Sequence, residues 1–223
     1  MSNEILFFIT LVANFTGIIV FYALFKKTGL YVWIAIATII ANIEVAKCVD
    51  IFGMSVTLGN VIYGTVFLAT DILSEKHGAK ESRKGVWIGF ASMLAFVACV
   101  QLSLLYTPNS TDFVSASMHT IFDIMPRICV ASLVSYLISN LLDTYLYAAI
   151  KKVLPSDKWL WVRNNAATWL SQIVDSALFT TLAFAGVFEK GVLLELIFTT
   201  YAIKVIVAVF DTPFLYIAKK IKE

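Results

Sequence analysis

Apolar positions run almost unbroken along this chain, and the polar ones come in bursts. Seven apolar segments stand out, roughly 5–25, 30–50, 56–74, 85–106, 126–150, 165–187 and 191–217. Each is close to the ~20 residues that a helix needs to cross a bilayer. Inside a membrane every backbone polar group has to be satisfied within its own segment, so helices are the default. The pattern predicts an all-α, polytopic integral membrane bundle of about seven (six to seven) transmembrane helices. It forms a single transmembrane domain over 1–223. No hydrophilic stretch is long enough to hold a separate core. The longest, about 107–125, is rich in Ser and Thr and could fold back as a lid.

Charge adds a direction. Lys26 and Lys27 follow the first segment, Lys76, Lys80, Arg83 and Lys84 the third, Lys151, Lys152, Lys158 and Arg163 the fifth, and Lys219, Lys220 and Lys222 the seventh. Thirteen of the 17 basic residues therefore fall on one side, and the remaining four are Lys47, Arg127, Lys190 and Lys204. By the positive-inside rule the chain is N-out and C-in. The basic pair follows the first segment, the reverse of a signal peptide's order, so that segment is expected to be a retained helix.

Composition agrees. The 223 residues are 60% hydrophobic and 14% charged, with a mean hydropathy of +0.85 and a net charge of +2. Soluble domains are nearer ~25% charged. The solvent of this chain is lipid, and nothing in the charge suggests a nucleic-acid partner. Cys48, Cys99 and Cys129 have no CxxC spacing, and His77 and His119 are far apart, so neither a metal site nor a cofactor is expected. No HExxH or GxSxG motif suggests an enzyme.

Charged groups within spanning helices are expensive and functional by default. Glu44 and Lys47 lie in the second predicted helix, spaced for an i, i+3 pair. Asp71 and Glu75 end the third. Arg127 begins the fifth, and Asp143 lies toward its end. Asp175 sits near the middle of the sixth, and Lys204 and Asp211 are in the seventh. Helical spacing gathers them into stripes: Thr38–Asn42; Asn60–Gly64–Phe67–Asp71–Glu75; Ser132–Ser135–Ser139–Asp143; Asn164–Thr168–Gln172–Asp175; Tyr201–Lys204–Ala208–Asp211. Such faces should converge on a common interior. Asp175, the deepest acid, has no cation on its own helix. Its natural partners are Lys204, Arg127 or a ligand.

One hexapeptide form occurs twice. Ser139–Thr144 reads SNLLDT and Ser171–Ser176 reads SQIVDS, on helices expected to be antiparallel neighbours. Asn140 and Gln172 then lie at similar depth, with Asp143 and Asp175 a turn away in opposite directions. A carboxylate accepts two N–H bonds in a fork, and a carboxamide both donates and accepts. That set suits a planar, amide-like heterocycle, with Tyr136, Trp169 and Phe179 available for stacking. A buried acid of this kind is also where a proton-coupled cycle would act.

Five stretches together resemble one family. They are FLATDILSEKHGAKESRKGVWIGF (67–90), ANIEVAKCVDIFGMSVTLGNVIYG (41–64), with its short FG turn, RICVASLVSYLISNLLDTYLY (127–147), RNNAATWLSQIVDSALF (163–179) and YAIKVIVAVFDTPFLY (201–216). The chain is similar to the queuosine-precursor transporters, also called the VUT or YhhQ family, over most of its length. The resemblance implies an inner-membrane carrier that imports 7-cyano-7-deazaguanine and 7-aminomethyl-7-deazaguanine. It carries over Asn42, Lys47, Asp71, Glu75, Arg83, Arg127, Asp143, Asp175, Tyr201 and Lys204 as positions matching family motifs. With Asn140 and Gln172 from the hexapeptides, all of these except Arg83 supply the expected substrate site. On this reading Asp175 takes the guanine edge and Asp143 lies near the 7-substituent.

Two partner arrangements remain open: a homodimer, or an energising partner subunit. The latter belongs to a second function class, the substrate-binding subunit of an energy-coupling-factor importer. The small residues Ala13 and Gly17 offer a face for a partner helix, or for packing within the chain.

Overall fold

A computed structural model describes residues 1–221 of the chain; Lys222, counted above with the basic residues, lies outside them. The elements are helices α1 (Asn3–Glu44), α2 (Asn60–His77), α3 (Ala79–Leu104), α4 (Ser115–Phe122), α5 (Met125–Val153), α6 (Leu160–Phe184) and α7 (Lys190–Lys220). A hairpin of β1 (Cys48–Ile51) and β2 (Met54–Thr57) lies between α1 and α2. Among the described residues, four stretches are long and apolar enough to cross a membrane: Asn3–Glu44, Ala79–Leu104, Ser115–Val153 and Lys190–Lys220. The protein is an all-α membrane bundle, and its exposed residues include many large apolar side chains such as Phe8, Leu24, Val130 and Phe198.

α1 is a helical hairpin rather than one rod. Lys26 breaks the helix with φ 53° and ψ −139°, and the two arms run back along each other. Gly29 permits the turn, since a Cβ there would stand 2.2 Å from the Phe21 carbonyl oxygen. Gly17 packs on the Trp33 ring, where a Cβ would meet it at 2.5 Å. The Gly17 face is therefore occupied within the chain. The reversal brings the N-terminus to the β-hairpin, where the Asn3 amide donates to the Asp50 carbonyl at 2.9 Å.

The sequence pattern predicts helices over 30–50 and 56–74; the structure corrects both boundaries. The helix stops at Glu44, and 48–57 forms an antiparallel hairpin pairing Cys48 with Thr57 and Ile51 with Met54. Phe52 and Gly53, both at positive φ, make its two-residue turn. That conformation matches the twist of the flanking strands. Phe52 sets its ring edge-on to Phe7 and Phe8, with centroids 6.2 Å away in each case. Lys47 therefore lies beyond the helix, and no Glu44–Lys47 ion pair forms. The 107–125 segment contains α4, and it lines an open hollow of its own beside the end of α3, separate from the polar interior.

α2 is the central helix, buried along nearly all of Asn60–Leu73 and packed by α1, α3 and α7. This explains its polar stripe, which faces protein on every side. Gly78 (φ 88°) alone links α2 to α3. α5 and α6 form the most extensive helix pair, joined by 154–159. Basic residues collect at one end of the bundle. There Lys27 meets Glu81 at 3.1 Å, Lys76 bonds the Ile221 carbonyl, and Lys151, Arg163 and Lys219 surround Glu75.

Candidate functional site

The repeated hexapeptides meet. Ser139 Oγ of the first donates to Asp175 of the second at 2.8 Å, and Ser171 Oγ of the second donates to Asp143 of the first at 2.9 Å. Two antiparallel helices bearing the same Ser–x–x–x–Asp spacing pair this way in one register. The result is a reciprocal clasp, buried at 0% exposure for both serines and 2% for both acids.

Asp175 is the hub of the larger network. Besides Ser139 it accepts from Tyr63 at 2.9 Å, and Lys204 forms a hydrogen-bonded ion pair with its other oxygen. Lys204 Nζ also lies 5.0 Å from the Tyr63 ring centroid, a cation–π position. Four helices thus converge: α2 brings Tyr63, α5 Ser139, α6 Asp175 and α7 Lys204. A buried ion pair persists when further hydrogen bonds fill the remaining lone pairs, and Asp175 meets that condition.

The pair stands between two cavities. The first, about 40 Å³, is lined by Asn42, Asn60, Ser135, Phe179, Asp175 and Lys204 among others. The second, about 10 Å³, is lined by Gln172, Thr168, Asp211, Tyr63 and again Lys204. A third cavity, about 220 Å³, opens on the hairpin side and shares Leu58, Gly59 and Asn60 with the first. Gly59 (φ 93°) permits this partition to pack tightly: a Cβ would stand 2.6 Å from the Ala41 carbonyl oxygen. Several buried polar atoms around the site lack partners among the described residues, including Asn42 Oδ1 and Gln172 Oε1. Groups of this kind, convergent and unpaired, characterise a ligand site.

The expected site residues divide by place. Asn42, Asp175 and Lys204 line the first cavity and Gln172 the second. Asp143, held in the clasp by Ser171, and Asn140 are buried, and neither lines these cavities. Asp71 is buried on α2, within electrostatic reach of Asp143 and Asp211. Glu75 belongs to the basic end. It takes bonds from Tyr147, from Lys151 at 3.1 Å and from Arg163 at 3.2 Å. Lys47 is exposed and lines the outer cavity with Glu44. Arg127 is exposed too, and it caps α6 by donating to the carbonyls of Leu182 (3.2 Å) and Ala185 (2.5 Å). Of the named partners for Asp175, the structure selects Lys204. Tyr201 is half-buried and lines none of the cavities, and Arg83 is exposed at the start of α3. Among the stacking candidates, Phe179 lines the first cavity and Tyr136 is buried beside Tyr63, while Trp169 is partly exposed.

Sequence reasoning missed Tyr63 and Arg163. Tyr63 lies next to the Asn60–Gly64–Phe67 stripe, but a lone Tyr in an apolar helix carries no special signal. Arg163 reads as one more loop cation, yet it is wholly buried. It gathers the carbonyls of Leu154 (2.9 Å), Pro155 (3.2 Å) and Ser156 (3.1 Å) before reaching Glu75.

An all-helical membrane bundle with a charged, hydrogen-bonded interior and cavities on both sides of a central ion pair has the form of a transporter. Comparison with known proteins places it. Residues 57–218 match the family described as "Putative vitamin uptake transporter", and the chain belongs to that family. It is a transporter family, not an enzyme family. The chain is 42% identical over 220 residues to the "Probable queuosine precursor transporter" of Bacillus subtilis (strain 168), covering 99% of this chain and 96% of that one. It is 26% identical over 174 residues to the "Queuosine precursor transporter" of Escherichia coli (strain K12), covering 76% and 75% respectively. A Haemophilus influenzae relative, also named "Probable queuosine precursor transporter", is 25% identical over 134 residues, covering 60% of this chain and 54% of its own. No solved structure matches the chain.

Proposed function

We propose that this protein imports queuosine precursors, 7-cyano-7-deazaguanine and 7-aminomethyl-7-deazaguanine, across the inner membrane, with Asp175 as the group that recognises the base. The observation that carries this is the buried Asp175–Lys204 pair on the wall of a cavity furnished with carboxamides. A deazaguanine edge offers N1–H and an exocyclic NH2 side by side, which one carboxylate accepts as a fork. Its O6 needs a donor. The base would take the place of Lys204 at Asp175, and the freed ammonium would donate to O6. Asn42 and Asn60 supply further polar contacts, Gln172 stands across the pair, and Phe179 and Tyr63 flank the base. Asp71, Glu75, Asn140, Asp143, Arg127, Tyr201 and Lys47 act further out, along the route or in its support.

Ligand pockets for drug-sized molecules run to roughly 300–1,000 Å³. At about 40 Å³ the first cavity is a contracted form of the site. Entry would require the Leu58–Gly59–Asn60 partition to part from α1, joining it to the outer cavity. The gathering of basic residues at the opposite end supports seven spans with the N-terminus and hairpin outside and the C-terminus inside.

The test is complementation. The chain is expressed in a bacterium that neither makes nor imports these precursors, each base is supplied at low concentration, and queuosine is assayed in tRNA. Restored queuosine is expected. Asp175→Asn should lower it about 10- to 150-fold at limiting substrate, the worth of roughly 1.5–3 kcal/mol for a bond to a charged group. Full activity in Asp175→Asn sinks the assignment. A membrane-inserted protein that restores nothing alone, yet co-purifies with an ATPase, would move the chain to the energy-coupling-factor class.

A further inference from the structure

The interior of the bundle carries more negative charge than the substrate reading uses. Asp71 (α2), Asp143 (α5), Asp175 (α6) and Asp211 (α7) are all at most 3% exposed. Lys204, the buried cation beside them, is taken by Asp175. No Lys, Arg or His among the described residues lies within ion-pair distance of Asp71, Asp143 or Asp211. The bonds they receive come from neutral groups: Ser171 to Asp143 at 2.9 Å and the Asn164 amide to Asp211 at 2.8 Å, with the Thr168 and Thr212 hydroxyls close by. The three interact electrostatically with one another.

A second observation is independent of the acids. Beside them on α6, Asn164 Oδ1 and Gln172 Oε1 are buried without partners among the described residues, as is Oδ2 of Asp71 itself. Thr168 and Gln172 face the small cavity that Asp211 also lines. All three atoms, with Asp71 ionised, can only accept. Carboxylates crowded among unpaired acceptors are relieved by adding protons, because a protonated carboxyl loses its charge and becomes a donor. A metal ion is the other way to neutralise carboxylates, but the described residues hold no group of three Asp, Glu, His or Cys side chains converging on a metal-sized point.

We propose that Asp71, Asp143 and Asp211 form a protonation site, separate from the Asp175–Lys204 pair, that couples import to the inward movement of protons. This rests on the transport reading above. The remaining buried titratable or charged groups on the surrounding helices are Tyr22 of α1, Tyr63 and Glu75 of α2, and Cys129, Tyr136 and Tyr147 of α5. α6 adds Asp175 and Arg163, and α7 adds Lys204. The two cations are held elsewhere, Lys204 by Asp175 and Arg163 by Glu75 and three carbonyls. Glu75 is answered by its own basic ring. None of these supplies a compensating charge to the three aspartates. A proton entering with the base from the outer side would reach the small cavity past the Asp175–Lys204 pair and leave toward the basic end.

The purified full chain in proteoliposomes tests this with labelled 7-cyano-7-deazaguanine. Counterflow exchange without any ion gradient reports the carrier itself. An acid-outside pH gradient should then raise initial uptake several-fold, a protonophore should abolish the rise, and added base should acidify a pH dye trapped inside. A sodium gradient at equal pH should do nothing. Asp211→Asn should keep counterflow and lose the gradient response, and Asp211→Glu should restore it. Counterflow with no pH response, uptake driven by sodium, or an Asp211→Asn protein that still follows the pH gradient would each overturn the coupling. Loss of wild-type counterflow would overturn the transport reading, and the coupling with it. The dye measurement on the wild type decides the matter even if a variant does not fold.

Discussion

Ser171 and Ser139 occupy equivalent places in the clasp but unequal surroundings. Asp175 keeps Tyr63 and Lys204 when Ser139 is removed. Asp143 has no cation to fall back on when Ser171 is removed. Ser171→Ala is therefore expected to lower thermal stability in detergent more than Ser139→Ala, with the latter near the ~0.6 kcal/mol typical of hydrogen bonds between membrane helices. Equal melting shifts would contradict the charge distribution described here. Arg163 differs in kind. Arg163→Met removes three loop-carbonyl bonds together with a partner of Glu75, and should cost about 3 kcal/mol at roughly 1 kcal/mol per bond. At this scale much of the site was readable. Spacing alone put Asn164, Thr168, Gln172 and Asp175 on one face, and all four are buried. The cross-pairing of serine with the opposite aspartate was not read, because it depends on the axial register of two helices. Tyr63 and Arg163 were lost because their importance comes from partners distant in sequence.

Among the elements, the α1 reversal and the β-hairpin depend on a few residues each. Gly29→Ala would drive a methyl into the Phe21 carbonyl, so the arms of α1 should separate, at a cost of about 1–3 kcal/mol or more. Gly53→Ala meets nothing within 4 Å, so it bears only the strain of a positive φ, about 1 kcal/mol. A large loss of folded protein for the first and a small one for the second is the expected result of parallel expression trials. Outside the bundle, Asp112 receives the Ser115 N–H at 2.8 Å, and this bond holds its carboxyl below the usual carboxylate range. Helix boundaries were legible to within a few residues except at 45–59 and at the starts of α3 and α6, which begin at Ala79 and Leu160 rather than at 85 and 165. At 45–59 a largely apolar run with Gly53 and Gly59 reads equally as the ends of two helices, and only the paired strands with their two-residue turn distinguish it.

For the whole molecule, the collected basic end and the hairpin end define opposite poles. Cys48 is exposed on the hairpin, whereas Cys129 is buried. A membrane-impermeant maleimide applied to intact cells is expected to label Cys48 and spare Cys129. Labelling of Cys48 only after the cells are broken open would invert the proposed topology.

The clasp also restricts how α5 and α6 can move. A slide of one helical turn in one direction would set Ser139 opposite Ser171; in the other it would set Asp143 against Asp175. Neither neighbouring register is a comfortable stop, so the two helices should travel through any transport cycle as a single rigid piece while other helices shift around them. The pairing is indifferent to which strand of the duplicated motif lies on which helix. Exchanging SNLLDT and SQIVDS between α5 and α6 should therefore leave the lock intact while moving Asn140 and Gln172 to opposite walls, a way to interchange the furnishings of the passage without disturbing its frame.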